Sequence, residues 1–376
     1  MNKLIPIVLV SLGLLSCGGG GGNNNAASSN SVSSLSSSSV SSSSSFSSSI
    51  PALKDLAEFP IGMEVSAADQ TRSIFVDETQ LPTIKKHFNS LVAGVIMKMS
   101  FLHPEEFKYH YTDADNLANF AAENNMILHG HTLIWHWDSQ IPDWMKNYTG
   151  DWQAMLDDHV TQIATHFAGK VVSWDVVNEA IDSESKSGFR ESIFYEKLGA
   201  KYIENAFVAA RAADPFAVLY YNDFNIEGSK RFDLMVAMLD DFKSRGIPVD
   251  GVGFQMHTNI DGAPIEYIQA AFKAIADRGY IVRISEMDVT VNNYNVPFLT
   301  NYLQLRQQDR YKRIIKAYLA AVPKAQRGGI TFWGLVDGES WVNYLDPNYR
   351  DWPLLFNDDY SPKPAFFGVV EALTEQ

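Results

Sequence analysis

Sulfur chemistry is nearly absent from this chain: one cysteine, Cys17, stands among 376 residues. No internal disulfide can form, so the fold must rest on a packed core. Basic runs are missing too. Lys and Arg total 30 against 44 Asp and Glu, a formal net charge of −14, which makes nucleic acid and other polyanions poor partners. Long hydrophobic runs are also absent. The apolar stretch at 4–15 is too short to span a bilayer as a helix. No G-x-G-x-x-G occurs, which removes the dinucleotide turn of a doubly wound sheet. What remains is 46% hydrophobic and 12% aromatic, enough for one large domain. A neutral polymer, met through aromatic faces and hydrogen bonds, suits that balance.

The first residues read as a targeting signal. Lys3 gives a positive start to the apolar stretch, and Leu14-Leu15-Ser16-Cys17 resembles a bacterial lipobox, in which the cysteine is lipidated and becomes the mature N-terminus. Residues 1–16 are then a lipoprotein signal peptide and Cys17 the lipid site. Residues 17–50, almost all Gly, Asn and Ser after the cysteine, form no core and read as a tether. Its random-coil reach is on the order of 30 Å. Gly18 follows the cysteine in place of Asp, which by the same resemblance points to the outer membrane. Secretion after an ordinary signal peptide is the alternative. A lipid would explain attachment without a transmembrane helix. Residues 51–376 are the folded domain, and a monomer is expected.

Within that domain, short apolar runs alternate with amphipathic ones. The runs are 60–65, 91–97, 126–132, 171–178, 218–222, 252–257, 281–288 and 329–333, with helical segments such as 195–213 and 307–321 between them. Buried strands alternating with helices imply parallel βαβ units, and eight of them predict an α/β fold, a (β/α)8 TIM barrel. Polar residues collect where the runs end: Lys98, His131, Asn178 and Glu179, Asn222 and Asp223, Gln255 and His257, Glu286 and Asp288, and Trp333. In a barrel the C-terminal strand ends build the active site. Helix capping would account for Asn222 and Asp223, but not for Lys, His, Gln and Glu.

Glycosidic bonds are cleaved between two carboxyl groups. Glu179 ends the fourth run and Glu286 lies near the end of the seventh, across the mouth of such a barrel. Alternation puts Glu286 and Asp288 on one face, and Gln255 and His257 on one face of the preceding strand. His257 is thus expected between Glu286 and Asp288, fixing Glu286 as an ionised nucleophile. Glu179 must stay protonated to act as an acid, and burial beside Trp135 and Trp174 would favour that. Asn178 is placed to donate to a sugar 2-OH, and Trp333 and Trp341 offer flat faces for sugar rings.

Five segments together, HGHTLIWH at 129–136, WDVVNE at 174–179, GVGFQMH at 251–257, SEMDV at 285–289 and GITFWGLVDGESW at 329–341, resemble in order and spacing the signatures of family 10 xylanases. The resemblance covers roughly 55–373. It implies a retaining endo-β-1,4-xylanase acting on xylan and xylo-oligosaccharides, without cofactor or metal. Glu286 would be the nucleophile and Glu179 the acid/base. Lys98, His131, Trp135, Gln140, Asn178, Gln255, Trp333 and Trp341 match family positions that contact glycone sugars, and Tyr221 and Asn222 match an aglycone-side segment.

Two departures stand out. The family usually reads Glu-Asn-x-Met-Lys-Trp on the second strand; here Gly94-Val95 replaces the Glu-Asn pair that binds the second glycone sugar. Losing two such partners removes about 1–3 kcal/mol of binding if both act as neutral groups, and somewhat more where the Glu charge assists. A weak −2 subsite is therefore expected, with space beside Gly94 for a decorated xylose, unless another residue supplies the contacts. Two extra residues in Trp135-His136-Trp137-Asp138-Ser139-Gln140 make Trp137 either a new sugar platform or loop packing. His129-Gly130-His131 with His257 and Asp288 imitates a metal set, though that motif normally follows a first strand. A non-catalytic glycan-binding lipoprotein would usually have lost one carboxylate. A cellulase or mannanase of another barrel family should lack the 255–257 and 333–341 segments.

Overall fold

The computed structural model describes residues 50–68, 73–346 and 348–375. The expected signal peptide, Cys17 and nearly all of the tether lie outside the described residues. Nine strand segments form the sheet: β1 Ile61–Val65, β2 Ser90–Ala93, β3 Ile127–Trp135, β4 Ser173–Asn178, β5 Val218–Asp223, β6 Gly251–Phe254, β7 His257–Asn259, β8 Ile281–Thr290 and β9 Arg327–Phe332. Every pairing is parallel, and β1 bonds to both β2 and β9. β6 also pairs with β8. The sheet therefore closes as β1-β2-β3-β4-β5-β6-β8-β9, the expected (β/α)8 barrel, with β7 continuing the line of β6 after a break.

Three of the longer helices combine an apolar stripe with a side-chain cap. Trp152–His166 buries Trp152, Met155, Leu156, His159, Val160 and Ile163, one face at helical spacing. Asp151 caps it by accepting from the backbone N–H groups of Gln153 and Ala154. Ser229 and Thr300 cap Lys230–Arg245 and Asn301–Ala321 in the same way. Among the described residues no helix is long and apolar enough to cross a membrane.

Three expectations need correction. The helix expected over 195–213 is two helices, Ile193–Leu198 and Lys201–Ala213, because Gly199 takes a positive φ of 63° between them. The second strand stops at Ala93, not Met97. Lys98 therefore lies beyond the strand, at the N-cap of the short helix Met99–Leu102. Trp174 points away from the mouth. It is fully buried, its ring centroid 6.0 Å from that of Phe167 in an edge-on contact, so it cannot be the aromatic neighbour of Glu179.

Candidate active site

Two polar clusters occupy the C-terminal mouth of the barrel. The first is built on β8. Glu286 is 4% exposed, and its Oε2 lies 3.2 Å from His257 Nε2, while His257 Nδ1 lies 2.8 Å from Asp288 Oδ2. His257 thus bridges the two carboxylates, as the alternation of the sequence predicts. Trp341 Nε1 donates to the same Asp288 oxygen at 2.8 Å, which holds the indole in place beside the His257 ring. On its other side Glu286 Oε1 accepts from Asn222 Nδ2 at 2.7 Å. Burial opposes ionisation of Glu286, yet the His257 hydrogen bond, with the electrostatic influence of the neighbouring His131 and His257 rings, outweighs it, and its pKa falls below the ordinary value. Burial also works against protonated His257, but Asp288 and Glu286 prevail and push its pKa up to about 10.

The second cluster surrounds Glu179, just past β4. Its backbone has φ of +58°, a left-handed conformation that costs a non-glycine residue on the order of 1–3 kcal/mol. Neighbours hold it there: Glu179 N–H donates to Asn222 O at 2.9 Å, and Arg190 Nε donates to Glu179 O at 3.0 Å. The side-chain Oε1 accepts from Asn178 Nδ2 at 3.1 Å and Gln255 Nε2 at 3.0 Å. His136 Nδ1 lies 4.0 Å from the other oxygen. Burial and the charges of Arg190 and Arg231 push the His136 pKa down to about 3, so this ring is neutral.

Asn222 ties the clusters together. Its amide donates to Asn178 Oδ1 as well as to Glu286, and its own Oδ1 accepts from Ser285 Oγ at 2.6 Å. A Cβ on Gly253 would fall 2.2 Å from that Oδ1, so glycine is required for the amide to lie where it does. Asn222 is fully buried. It belongs to the floor between the carboxylates, not to an aglycone surface. Tyr221 is buried as well and reaches no sugar. Its hydroxyl accepts from Ala180 N–H at 3.0 Å and Ile181 N–H at 3.1 Å, and donates to Asp223 Oδ2 at 2.5 Å. Tyr221 therefore props the chain immediately after Glu179.

The remaining expected residues line the mouth. Lys98 Nζ lies 4.6 Å from the Trp135 ring centroid; burial lowers its pKa against the pull of Glu286, Glu64 and Glu179. The His131 ring stands edge-on to Trp333 at 5.4 Å, with Nδ1 bonded to Asp175 Oδ2. Gln140 sits on the one-turn helix Asp138–Gln140 and accepts from Ser100 Oγ, close to the segment that carries Lys98. Trp137 is 55% exposed and stacked on Trp135 with centroids 5.8 Å apart; it is not packed under its loop. Asn178, expected to point at a sugar hydroxyl, directs its amide to Glu179.

Sequence reasoning missed three groups. His129 and His131 flank Asp175, at 3.0 and 2.9 Å from its Oδ2, and His129 Nδ1 meets Ser173 Oγ. The two histidines are thus engaged within the barrel, and among the described residues no group of three His, Cys, Asp or Glu is arranged to hold a metal ion. His136 ends the 129–136 segment, where its residue type gives no sign of a place beside Glu179. Glu64 was missed altogether, although it lies near the end of β1 and obeys the same rule of polar residues at strand ends. With Gly94, Lys98, Trp333, Glu339 and Trp341 it lines a cleft of about 450 Å³. That cleft corrects the picture at Gly94: a Cβ there would fall 1.9 Å from Glu64 Oε1, so the expected vacancy holds a carboxylate.

A parallel (β/α)8 barrel with two buried, separately partnered carboxyl groups at its mouth and tryptophans around them has the architecture of a glycoside hydrolase. Comparison makes the class specific. The chain belongs to glycosyl hydrolase family 10, whose model matches residues 52–372. It is 46% identical over 357 residues to endo-beta-1,4-xylanase Xyn10C of Cellvibrio japonicus, covering 87% of this chain and 58% of that protein. It is 36% identical to endo-1,4-beta-xylanase B of Thermotoga neapolitana, covering 88% of this chain and 94% of that one. Among solved structures, Cellvibrio japonicus xylanase10C in complex with xylopentaose superposes with a TM-score of 0.84 at 45% identity, over 87% of this chain and 70% of that one. The chain thus spans little more than half the length of its Cellvibrio relative.

Proposed function

We propose that this protein is a retaining endo-1,4-β-xylanase that hydrolyses internal bonds of xylan and xylo-oligosaccharides. One observation carries the reading: the two mouth carboxylates have opposite surroundings, His257 with Asp288 around Glu286 and neutral amides around Glu179. Glu286 attacks the anomeric carbon and forms a glycosyl ester as the glycosidic C–O bond breaks. The departing oxygen takes the proton of Glu179. Glu179, now a carboxylate, removes a proton from water, whose oxygen attacks the same carbon and releases Glu286. Two inversions leave the configuration retained. Lys98, His131, Trp135, Gln255, Trp333 and Trp341 hold the glycone sugars, and no cofactor takes part. Relatives named as endo-xylanases support the substrate. The test is reducing-sugar release from xylan by the unaltered chain and by Glu179→Ala and Glu286→Ala. Xylan turnover that depends on both residues is expected, and no action on any xylan or xylo-oligosaccharide would sink the assignment.

The same proposal covers the second glycone sugar and the cell. Gly94-Val95 leaves one carboxylate near the −2 position where the family has a carboxylate and an amide, so this subsite is weak for the family. Cleavage of aryl xylobioside and xylotetraose as efficient as in a family member with the Glu-Asn pair would count against that. The protein is a monomer, lipidated at Cys17, tethered by 17–50 and held at the outer membrane. Cys17→Ser is expected to move it from the membrane to the soluble fraction; an unchanged distribution would favour secretion after ordinary signal cleavage.

A further inference from the structure

The cleft lined by Lys98, Trp333 and Trp341 contains two acidic side chains that the reaction above does not use, Glu64 and Glu339. Glu64 lies near the end of β1 and is partly exposed, so its carboxylate opens on the cleft that Lys98, Trp333 and Trp341 also line. Its position depends on its neighbour. A Cβ at residue 94 would lie 1.9 Å from Glu64 Oε1 and 2.8 Å from Cδ, so any side chain there would displace the carboxylate. Glu64 and Gly94 are thus one arrangement: a β1 side chain fills the volume that a residue 94 side chain would otherwise enter.

We propose that Glu64 is a substrate-binding residue that fixes the second glycone sugar by accepting hydrogen bonds from its hydroxyl pair. This rests on the xylanase reading and extends it to a residue on a different strand from the one the family uses. A carboxylate has two acceptor oxygens and can receive both hydroxyls of a vicinal diol. The cleft supplies what such a sugar needs besides: indole faces at Trp333 and Trp341, and the Lys98 ammonium, whose charge acts on both Glu64 and Glu286. Lys98 thus joins the reacting end of the cleft to this one. Burial raises the Glu64 pKa to about 7 against the opposing charge of Lys98, with Glu339 and Glu286 adding to the rise. Hydroxyl donors of a bound sugar favour the charged form of such a carboxyl group.

The test compares an aryl β-xyloside with the aryl β-xylobioside of the same leaving group, which differ only in the second sugar. The ratio of their kcat/KM values isolates that sugar's contribution. Glu64→Ala is expected to lower the ratio about tenfold and Glu64→Gln about threefold, with xyloside hydrolysis held within about twofold. The double variant Glu64→Ala/Gly94→Glu, which returns a carboxylate to the same volume from the residue just past β2, is expected to recover most of the ratio. Should Glu64→Ala fold poorly and lose both activities, the isosteric Glu64→Gln decides. A ratio within twofold of the unaltered chain in Glu64→Gln overturns the proposal for Glu64 alone. Failure of the unaltered chain to act on any xylan overturns the activity assignment, and this inference with it.

Discussion

Glu286 and Glu179 stand at the same barrel mouth, yet their surroundings share little beyond Asn222. Glu286 sits within β8 inside a chain of charge: His257 bonds it, Asp288 bonds His257, and Trp341 bonds Asp288. Glu179 sits past a strand end on left-handed backbone, and amide groups and a neutral histidine face it. The first setting fixes one protonation state, because a cation bonded to a buried carboxylate makes its neutral form unfavourable. The second fixes position: two amide donors and a braced backbone hold the side chain at the mouth. Identical side chains thus acquire different chemistry from their second neighbours.

The sharpest way to break this comparison is to remove each carboxylate and offer a small anion. Glu286→Ala is expected to lose at least ~10⁴-fold in kcat on aryl xylobioside, and azide should rescue it to an inverted glycosyl azide. Glu179→Ala should keep fast ester formation when the leaving group is a good one, then stall, with azide giving a retained product. Chirality of the two products checks the assignment, and the same configuration from both variants would refute it.

His257→Ala probes the charged setting alone. Loss of a charge-assisted bond predicts a fall of about 10–100-fold in kcat/KM. With its donor gone, Glu286 should titrate at higher pH, which moves the acidic limb of the kcat/KM profile upward. His257 also links stability to pH. Its pKa is about 10 in the fold against roughly 6.5 unfolded. The stabilisation is complete below about pH 6.5 and is lost as pH rises through the folded value near 10. Denaturation midpoints across that window should therefore slope less steeply in His257→Ala than in the unaltered chain.

Tyr221→Phe tests the positional setting. Two buried N–H groups lose their acceptor, at a cost of about 1–3 kcal/mol each if water does not replace it. Urea unfolding should show the loss, and kcat should fall with KM nearly unchanged, because the residue supports Glu179 and meets no sugar. The smallest effect is expected at Trp137. Trp137→Ala should raise KM for xylan about two- to fivefold through loss of a stacked face, with an unmoved denaturation midpoint. An unchanged KM would make the exposed indole a bystander.

Most of the barrel was legible because its strands are short, apolar and separated by helices with clear stripes. The strand alternation also placed His257 between Glu286 and Asp288. What stayed hidden has a common physical cause. Lys98 was assigned to a strand because 94–97 is apolar, yet the sheet pairing ends at Ala93. Trp174 was placed beside Glu179 from its nearness in sequence, though its direction on β4 turns it to the outer layer. Tyr221 and Asn222 match a sugar-contacting segment, but burial and bonding give them to the floor. The partnership of Glu64 with Gly94 joins β1 to the segment just past β2 through a side-chain volume, and no local pattern encodes that.

The break in the sixth strand has a consequence for how this enzyme could change over generations. Three successive residues, Gln255, Met256 and His257, turn at a positive φ of 61° on Met256, and the outer two attend different carboxylates. A single insertion or deletion there would reassign both attendants at once, and no gradual series of working intermediates leads through it. The surrounding loops are free to drift, as the two added residues near Trp137 illustrate. This tripeptide should be the hardest part of the molecule to vary in a library screened for activity, and the wrong place to begin engineering a new specificity.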